Sequence, residues 1–484
     1  MFLQRCSSED ELQKMNFVFY DTETTGTNTA FDQILQFGAI RTDAELNELE
    51  RFEVRCRLLP WVVPSPGALK ITGVSPDLLE DPSLPSHFQM MGMIERKLKS
   101  WSPATFVGYN SISFDENLLR QSFFQTLRSP FLTNTNGNCR GDVMRLVHAC
   151  YAYAPNTMAA PLNEKNNPSF KLDQLAPANG FSHERAHDAI ADVEATIYLS
   201  KLARDRAKLV WERIHEMAQK PYAQTVLERE VVLCQTEFYA SKEHSWLVTK
   251  CGQNTKNNVE VATFDLSNDP TPYLTIGEEA LVDVLERSPK VIRTVRTNAQ
   301  PILMPLSDAT PNTKGIELSE GELMDRVSAI KSNDGFQTRV GFAMAKRYKD
   351  REPSPYPELQ IYDRFPDRSD EALKTAFHDA DDWQERASIA GQFEDQRLAH
   401  FAYRTVYAEA PGVLRSEHRT KIEGWIASRI QGSEGDAPWT TLPAAIDEAN
   451  KIQTFVTGDA AEHMAGVAAY LYELERRRIR SKTN

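Results

Sequence analysis

The stretch Phe17-Val18-Phe19-Tyr20-Asp21-Thr22-Glu23-Thr24-Thr25-Gly26 decides how this chain is read. A run of four apolar residues ends abruptly in two acids spaced i, i+2. On an extended strand, residues two apart point to the same face. Asp21 and Glu23 therefore leave the strand end side by side. Carboxylates held that close repel, and each favours protonation of the other. A cation between them relieves the repulsion, and hard divalent ions such as Mg²⁺ prefer carboxylate oxygens. A plain strand with a polar turn at Gly26 accounts for the same residues about as well. The rest of the chain decides between the two.

At 484 residues and 41% hydrophobic content, the chain is too long for one compact core, so about two to four domains are expected. Charged residues at 25% and aromatics at 9% are ordinary for a folded soluble protein. Met1 to Met15 is polar and acidic and lacks the apolar core of a secretory signal. No run approaches the roughly 18 apolar residues of a membrane span. Cys6, Cys56, Cys139, Cys150, Cys234 and Cys251 are scattered without CxxC spacing. This argues against a zinc knuckle or redox pair and fits free thiols in a reducing cytoplasm. The net charge of −13 counts against a protein that grips nucleic acid with its whole surface. It leaves room for a local basic channel. Two local basic stretches stand out, Lys201 to Lys220 and Arg476 to Lys482; either fits a solvated helix face or end, and the tail reads as one.

Residues up to about 205 alternate strand-like and helix-like segments. Phe17–Tyr20, Ile34–Ile40, Phe52–Leu58 and Phe106–Tyr109 read as strands. Glu116–Leu127 and Asp188–Arg204 read as helices, the second with Ile190, Val193 and Ile197 on one face. Ala154–Ser169, rich in Pro and Asn, reads as a long loop of the kind that borders active sites. This is an α/β pattern. From about residue 221, Val231–Tyr239, Ser245–Cys251, Val259–Leu266 and Lys290–Thr297 read as short strands of a small β-rich domain, followed by a helix at Gly321–Lys331. Glu352-Pro353-Ser354-Pro355-Tyr356-Pro357 reads as a linker. The remainder is helix-like, broken near Gly432–Pro438.

Two further segments set acids at element starts. In Gly108-Tyr109-Asn110-Ser111-Ile112-Ser113-Phe114-Asp115, an acid opens a helix after a short apolar run. Taken alone, Asp115 is a first-turn residue favoured by the helix dipole. In His187-Asp188-Ala189-Ile190-Ala191-Asp192, a histidine starts a helix and an acid follows five residues later. Taken alone, these are a surface or capping histidine and a solvated acid.

In order, DxE, NxxxFD and HxAxxD resemble the DEDD superfamily of 3′→5′ exonucleases. The histidine five residues before the last Asp matches the histidine subclass; a Tyr would stand at Asp188 in the other. Phe37-Gly38-Ala39-Ile40-Arg41-Thr42-Asp43, Gly67-Ala68-Leu69-Lys70-Ile71-Thr72-Gly73, Asp142-Val143-Met144-Arg145 and Ala178-Asn179-Gly180 look like the bacterial exonuclease I family, as does the overall length.

The resemblance implies a ribonuclease H-like α/β exonuclease domain with a mixed sheet over 1–205. An SH3-like β domain over 206–352 and a helical domain over 353–484 follow. It implies hydrolysis of single-stranded DNA from the 3′ end to 5′-mononucleotides, in repair and recombination. Two Mg²⁺ ions about 4 Å apart, for which Mn²⁺ can substitute, would hold the attacking water and the leaving oxygen. Asp21, Glu23, Asp115 and Asp192 would be the metal ligands, Asp21 the bridging one, and His187 the general base. Glu23, Thr24, Tyr109, Asn110 and Phe114 are candidates for the terminal nucleotide, with aromatics able to stack on a base or simply to fill the core. Lys171 stands where relatives often carry Arg and offers a phosphate a point charge. The family also binds the acidic tail of single-stranded-DNA-binding protein, for which Arg339, Lys346 and Arg347 are candidates. A monomer is the family expectation. Two alternatives are an RNA 3′-trimming exonuclease and a non-catalytic DNA- or partner-binding protein. The added domains argue for DNA, and the complete set of four acids and a histidine argues against a silent protein.

Overall fold

The computed structural model describes residues 16–182, 187–347, 352–432 and 437–483. Its first sheet grows from the apolar run quoted above. Strand β1 (Phe17–Thr24) is buried along nearly its whole length, and its alternate side chains enter two separate cores. Val18 and Tyr20 pack with Phe37, Met90, Ile94, Leu98, Phe106 and Leu118. Phe17 and Phe19 pack on the other face with Val143, Val147, Leu175, Ile190, Val193 and Ile197. A strand covered on both faces has no polar side to show, so its sequence is continuously apolar.

Strands β2 (Ile34–Thr42) and β3 (Glu48–Arg55) run antiparallel outward from β1. Strands β4 (Thr105–Gly108) and β5 (Cys139–Asp142) continue parallel on its other side, giving the order β3-β2-β1-β4-β5. Helices α1 (Pro66–Thr72) and α2 (Pro76–Glu80) lead from β3 to α3 (His87–Trp101), which with α4 (Asp115–Gln125) covers one face. Helices α5 (Val143–Tyr153), α6 (Leu172–Ala178) and α7 (Ala189–Arg206) cover the other. This is the ribonuclease H-like mixed sheet that the motifs imply. The third strand lies at 48–55 rather than 52–58. It is the sheet's edge, and its alternation of exposed and half-buried positions includes charged Glu48 and Glu50, which mask it as a loop.

Helices α8 (Lys208–Glu216) and α9 (Lys220–Arg229) lead into a second sheet. Strands β6 (Leu233–Tyr239), β7 (Lys242–Gln253), β8 (Glu260–Asp265) and β9 (Ile292–Arg296) form an antiparallel meander, and β10 (Ile302–Pro305) returns beside β6. Helices α10 (Glu278–Glu286), α11 (Glu320–Lys331) and α12 (Asp334–Lys346) pack on it. Its core is shared with the first unit: Leu146, Ala149 and Cys150 of α5 and Val210 and Ile214 of α8 join Leu247, Phe264 and Phe336.

Beyond the proline-rich segment the chain is helical. Helices α13 (Arg368–Asp379), α14 (Trp383–Ala390), α15 (Gln396–Glu409) and α16 (Ser416–Gln431) enclose a core that takes in Phe124 and Leu127 from the end of α4. Helices α17 (Leu442–Gln453) and α18 (Asp459–Thr483) pack on Leu35, Val63, Leu69 and Leu79. No described helix is long and apolar enough to cross a membrane.

Ile214 is fully buried in the core common to both sheets. Ile214→Ala should destabilise the protein by about 2–5 kcal/mol, read as a lower denaturation midpoint. The two sheets should melt in one transition. Two well-separated transitions would contradict a shared core.

Candidate active site

Asp21 and Glu23 continue the Phe17–Phe19 face of β1, the face that α7 covers. Gly38 stands opposite Asp21 in the β1–β2 ladder. A Cβ there would lie 2.9 Å from the backbone of Ala189 and Ile190, so glycine lets the first turn of α7 rest directly on the sheet. Asp188 fixes that turn. Its Oδ1 accepts the Ala191 N–H at 3.3 Å, and its Oδ2 accepts Gln36 Nε2 at 3.2 Å and Arg55 Nη2 at 3.0 Å. His187 precedes it in the left-handed region, with φ 67°. Its backbone N–H donates to Asp192 Oδ1 at 3.3 Å. The result is one tight group: ligand atoms of Glu23, His187 and Asp192 lie within 4.8 Å of one another.

Thr22 points to the opposite face of β1, where α4 begins. Its Oγ1 donates to Asp115 Oδ1 at 2.6 Å. The next residue, Glu116, is wholly buried and accepts from Tyr20 Oη at 3.0 Å, Thr133 Oγ1 at 2.6 Å and Arg120 Nε at 2.9 Å. The β4–α4 loop is held by Asp142, which accepts the N–H groups of Asn110 at 2.8 Å and Ile112 at 3.3 Å. Asp142 in turn donates its own N–H to Gln300 Oε1 at 2.6 Å, a bond that reaches from the first sheet to the segment before β10.

Burial raises the Asp21 carboxyl well above the usual range, and Asp115, Asp192 and Glu23 raise it further. Burial, then Asp192, Asp115 and Asp188, push Glu23 up to about 9, with Arg55 opposing. Asp115 is pushed up to about 7 by burial, against the Thr22 hydrogen bond. Asp21 and Asp115 stand outside the tight group of three, but the charges of all four acids act on one another. A crowd of oxygen ligands with so little compensating positive charge fits a hard divalent cation. The chain's own residues thus suit the metal expected from the motifs.

The other expected contacts vary in what they leave free. The Thr24 hydroxyl is buried and bonds the Gly26 carbonyl at 2.7 Å. The Tyr109 hydroxyl donates to the Phe170 carbonyl at 2.5 Å. Phe114 is half-buried at the start of α4, Asn110 is half-buried with φ 59°, and Lys171 is exposed. A cleft of about 470 Å³ opens from Asn110 and Asp142 between the two sheets, past Arg145, His148, Phe238, Tyr239 and Arg296. Arg339 donates to the carbonyls of Ile276 and Leu274 at 3.1 and 2.5 Å. Lys346 pairs with Glu278 at 2.5 Å, and Arg347 lies 3.9 Å from Glu260. Asp142 stands out in the sequence only as part of a family-like segment and Asp188 only by its place beside His187, and nothing in the sequence singles out Gln36 or Arg55.

The exonuclease family model, RNase_T, matches residues 18–200. Exodeoxyribonuclease I of Escherichia coli (strain K12) is 26% identical over 439 residues, covering 87% of this chain and 90% of that protein. The solved exonuclease I from Methylocaldum szegediense superposes with a TM-score of 0.80 at 26% identity, over 95% of this chain and 99% of that one. The chain is similar to exonuclease I proteins over nearly its whole length. The E. coli exonuclease I solved with a dA16 oligonucleotide has the same fold, with a TM-score of 0.80 at 24% identity over 95% of this chain and all of that one. The residues that carry the three motifs lie within the stretch matched by the exonuclease model, at the end of β1 and on the two helices that flank it.

Carboxyls raised in the folded state bind more protons folded than unfolded, so ionising them costs stability as pH rises. The window runs from the ordinary carboxylate range to about 7 for Asp115 and about 9 for Glu23. Metal-free protein should therefore have a lower Tm at pH 9 than at pH 6, and millimolar Mg²⁺ should restore most of the loss. A Tm that rises from pH 6 to 9 without metal would contradict this charge arrangement.

Proposed function

We propose that this chain is a metal-dependent exodeoxyribonuclease that degrades single-stranded DNA 3′→5′ to 5′-mononucleotides, in DNA repair and recombination. The observation that carries the reading is the group Glu23, His187 and Asp192, set beside Asp21 and Asp115. Asp21, Glu23, Asp115 and Asp192 would hold two Mg²⁺ ions, with Mn²⁺ able to substitute. When bound, the ions supply Lewis-acid activation of water and neutralise charge at the departing oxygen. His187 takes the proton from the attacking water. The water oxygen bonds to phosphorus as the P–O3′ bond breaks, and the departing 3′ oxyanion takes a proton from solvent, leaving a 3′-hydroxyl on the shortened strand and a free 5′-mononucleotide. Asp188, Gln36 and Arg55 hold the turn that carries His187 and so set the direction of its ring.

Substrate choice follows from the cleft between the sheets. Aromatic rings at Phe238 and Tyr239 with guanidinium groups at Arg145 and Arg296 suit the bases and phosphates of an unpaired strand. Asn110, Thr24, Tyr109, Phe114 and Lys171 border the terminal nucleotide, the committed hydroxyls of Thr24 and Tyr109 acting by shaping the pocket. In this reading, 1–205 is the catalytic domain, 206–352 an SH3-like domain and 353–484 a helical domain, in a monomeric cytoplasmic protein. The acidic tail of single-stranded-DNA-binding protein docks near Arg339, Lys346 and Arg347, where it must compete with Glu278 and Glu260 for the cations.

The test uses 3′- and 5′-labelled single-stranded DNA, duplex DNA and RNA, each with Mg²⁺ and with EDTA. Stepwise release of 5′-mononucleotides from single-stranded DNA in Mg²⁺ alone is expected. Preference for RNA, or activity in EDTA, would overturn the reading. Asp21→Asn should lower the rate at least roughly 100-fold, the scale reached even by outer-shell metal partners, with the Tm unchanged or higher. Full activity in that variant would remove Asp21 from the site.

A further inference from the structure

We propose that the C-terminal helical region positions the catalytic strand for chemistry, through a clamp of Arg429, Trp439 and Asn28 on the turn that follows Glu23. This rests on the nuclease reading above and adds a role for residues remote from the metal ligands.

The turn runs from Thr25 to Asp32 and is closed from inside by one carboxylate. Asp32 Oδ1 accepts the Thr25 hydroxyl at 2.9 Å and Oδ2 accepts the Asn28 N–H at 2.7 Å. A Cβ at Gly26 would sit 2.5 Å from Asp32 Oδ2, so the turn closes this tightly only with glycine. Its outer side is held by residues more than 300 positions away. Phe31 is buried with its ring edge-on to Tyr356 at 5.9 Å and 5.4 Å from Trp439. The Arg429 guanidinium lies 5.1 Å from the Phe31 ring centroid and 4.6 Å from that of Trp439. Trp439 Nε1 donates back to the Arg429 carbonyl at 2.8 Å. Asn28 Nδ2 donates to the Pro438 carbonyl at 2.5 Å.

Arg429 is itself locked. It is buried and pairs at 3.0 Å with Glu358, which is also buried and pairs with Arg404 at 2.8 Å. A buried guanidinium between aromatic faces and a shared carboxylate has one position. It transmits the position of α15 and α16 to Phe31. On the other flank, the Ser65 N–H donates to the Thr25 carbonyl at 2.8 Å, and Glu448 of α17 accepts from Ser65 Oγ and the Gly67 N–H at 3.2 and 3.1 Å. The turn next to Glu23 is therefore gripped from both sides by the C-terminal region. None of these residues is among the proposed metal ligands, so they are positioning residues.

A clamp that acts on the chemistry and one that merely holds DNA differ in one measurement. The p-nitrophenyl ester of thymidine 5′-monophosphate contains a cleavable phosphodiester but no strand to grip. Full-length wild type, Trp439→Ala, Arg429→Lys and Asn28→Ala are assayed with Mn²⁺ on the ester and on a single-stranded oligonucleotide. Trp439→Ala should lower kcat on the ester by roughly 10- to 100-fold, the cost of misplacing a reacting group by about 1 Å, with KM little changed. Arg429→Lys should fall in the same direction, and exposed Asn28 provides a variant that leaves the core intact. Ester turnover equal to wild type in all three variants, with only KM for DNA raised, overturns the proposal. Wild type inactive on both substrates overturns the nuclease reading and the clamp with it.

Discussion

Mutual repulsion among four carboxylates at one end of β1 is the constraint around which the structure is organised. Asp21, Glu23, Asp115 and Asp192 come from one strand and two helices, and each raises the proton affinity of another. Nothing in the acids themselves keeps them together. The surrounding fold does so with a glycine, a hydroxyl and one ion pair. Gly38 admits the turn of α7, Thr22 bonds Asp115, and Asp188 ties the start of α7 to Gln36 and Arg55 on the sheet. Carboxyls crowded in this way fit a hard divalent cation, whose charge would relieve their repulsion.

The site is legible in sequence to the extent that chemistry fixes residue type. The i, i+2 spacing on an apolar strand places Asp21 and Glu23 on one face, and the same face carries Phe17 and Phe19 toward α7. The helix start before Ala189 places His187 and Asp192 near each other. What escapes is the layer that holds them. Asp142, Gln36 and Arg55 act through geometry across 30 to 150 positions of chain, and a lone Asp, Gln or Arg has many ordinary uses. The missed strands have similar causes. β5 is four residues with an internal arginine, and β10 ends in proline. Both are recognisable only from the partner strand that pairs with them.

The three textures of the sequence are distinct, yet the units they form are not independent. α8 serves two sheets at once, with Trp211 and His215 against the Phe17 ring and Ile214 in the core of the second sheet. Gln300 joins them again through Asp142 and the Ile214 carbonyl. Such contacts make the cleft between the sheets a rigid feature, not a gap between loosely tethered bodies.

The same interdigitation governs what happens if the chain is cut. Removing the helices after the proline-rich segment uncovers Leu35, Val63, Leu69 and Leu79 on one side of the catalytic unit, and Phe124 and Leu127 on another. Removing the second sheet strips cover from Leu146, Ala149 and Ile214. Contiguous apolar surface of that kind drives self-association. A minimal soluble nuclease carved from this protein therefore requires polar residues recoded at those positions, and the large size of the chain is in part the cost of keeping its smallest functional unit in solution.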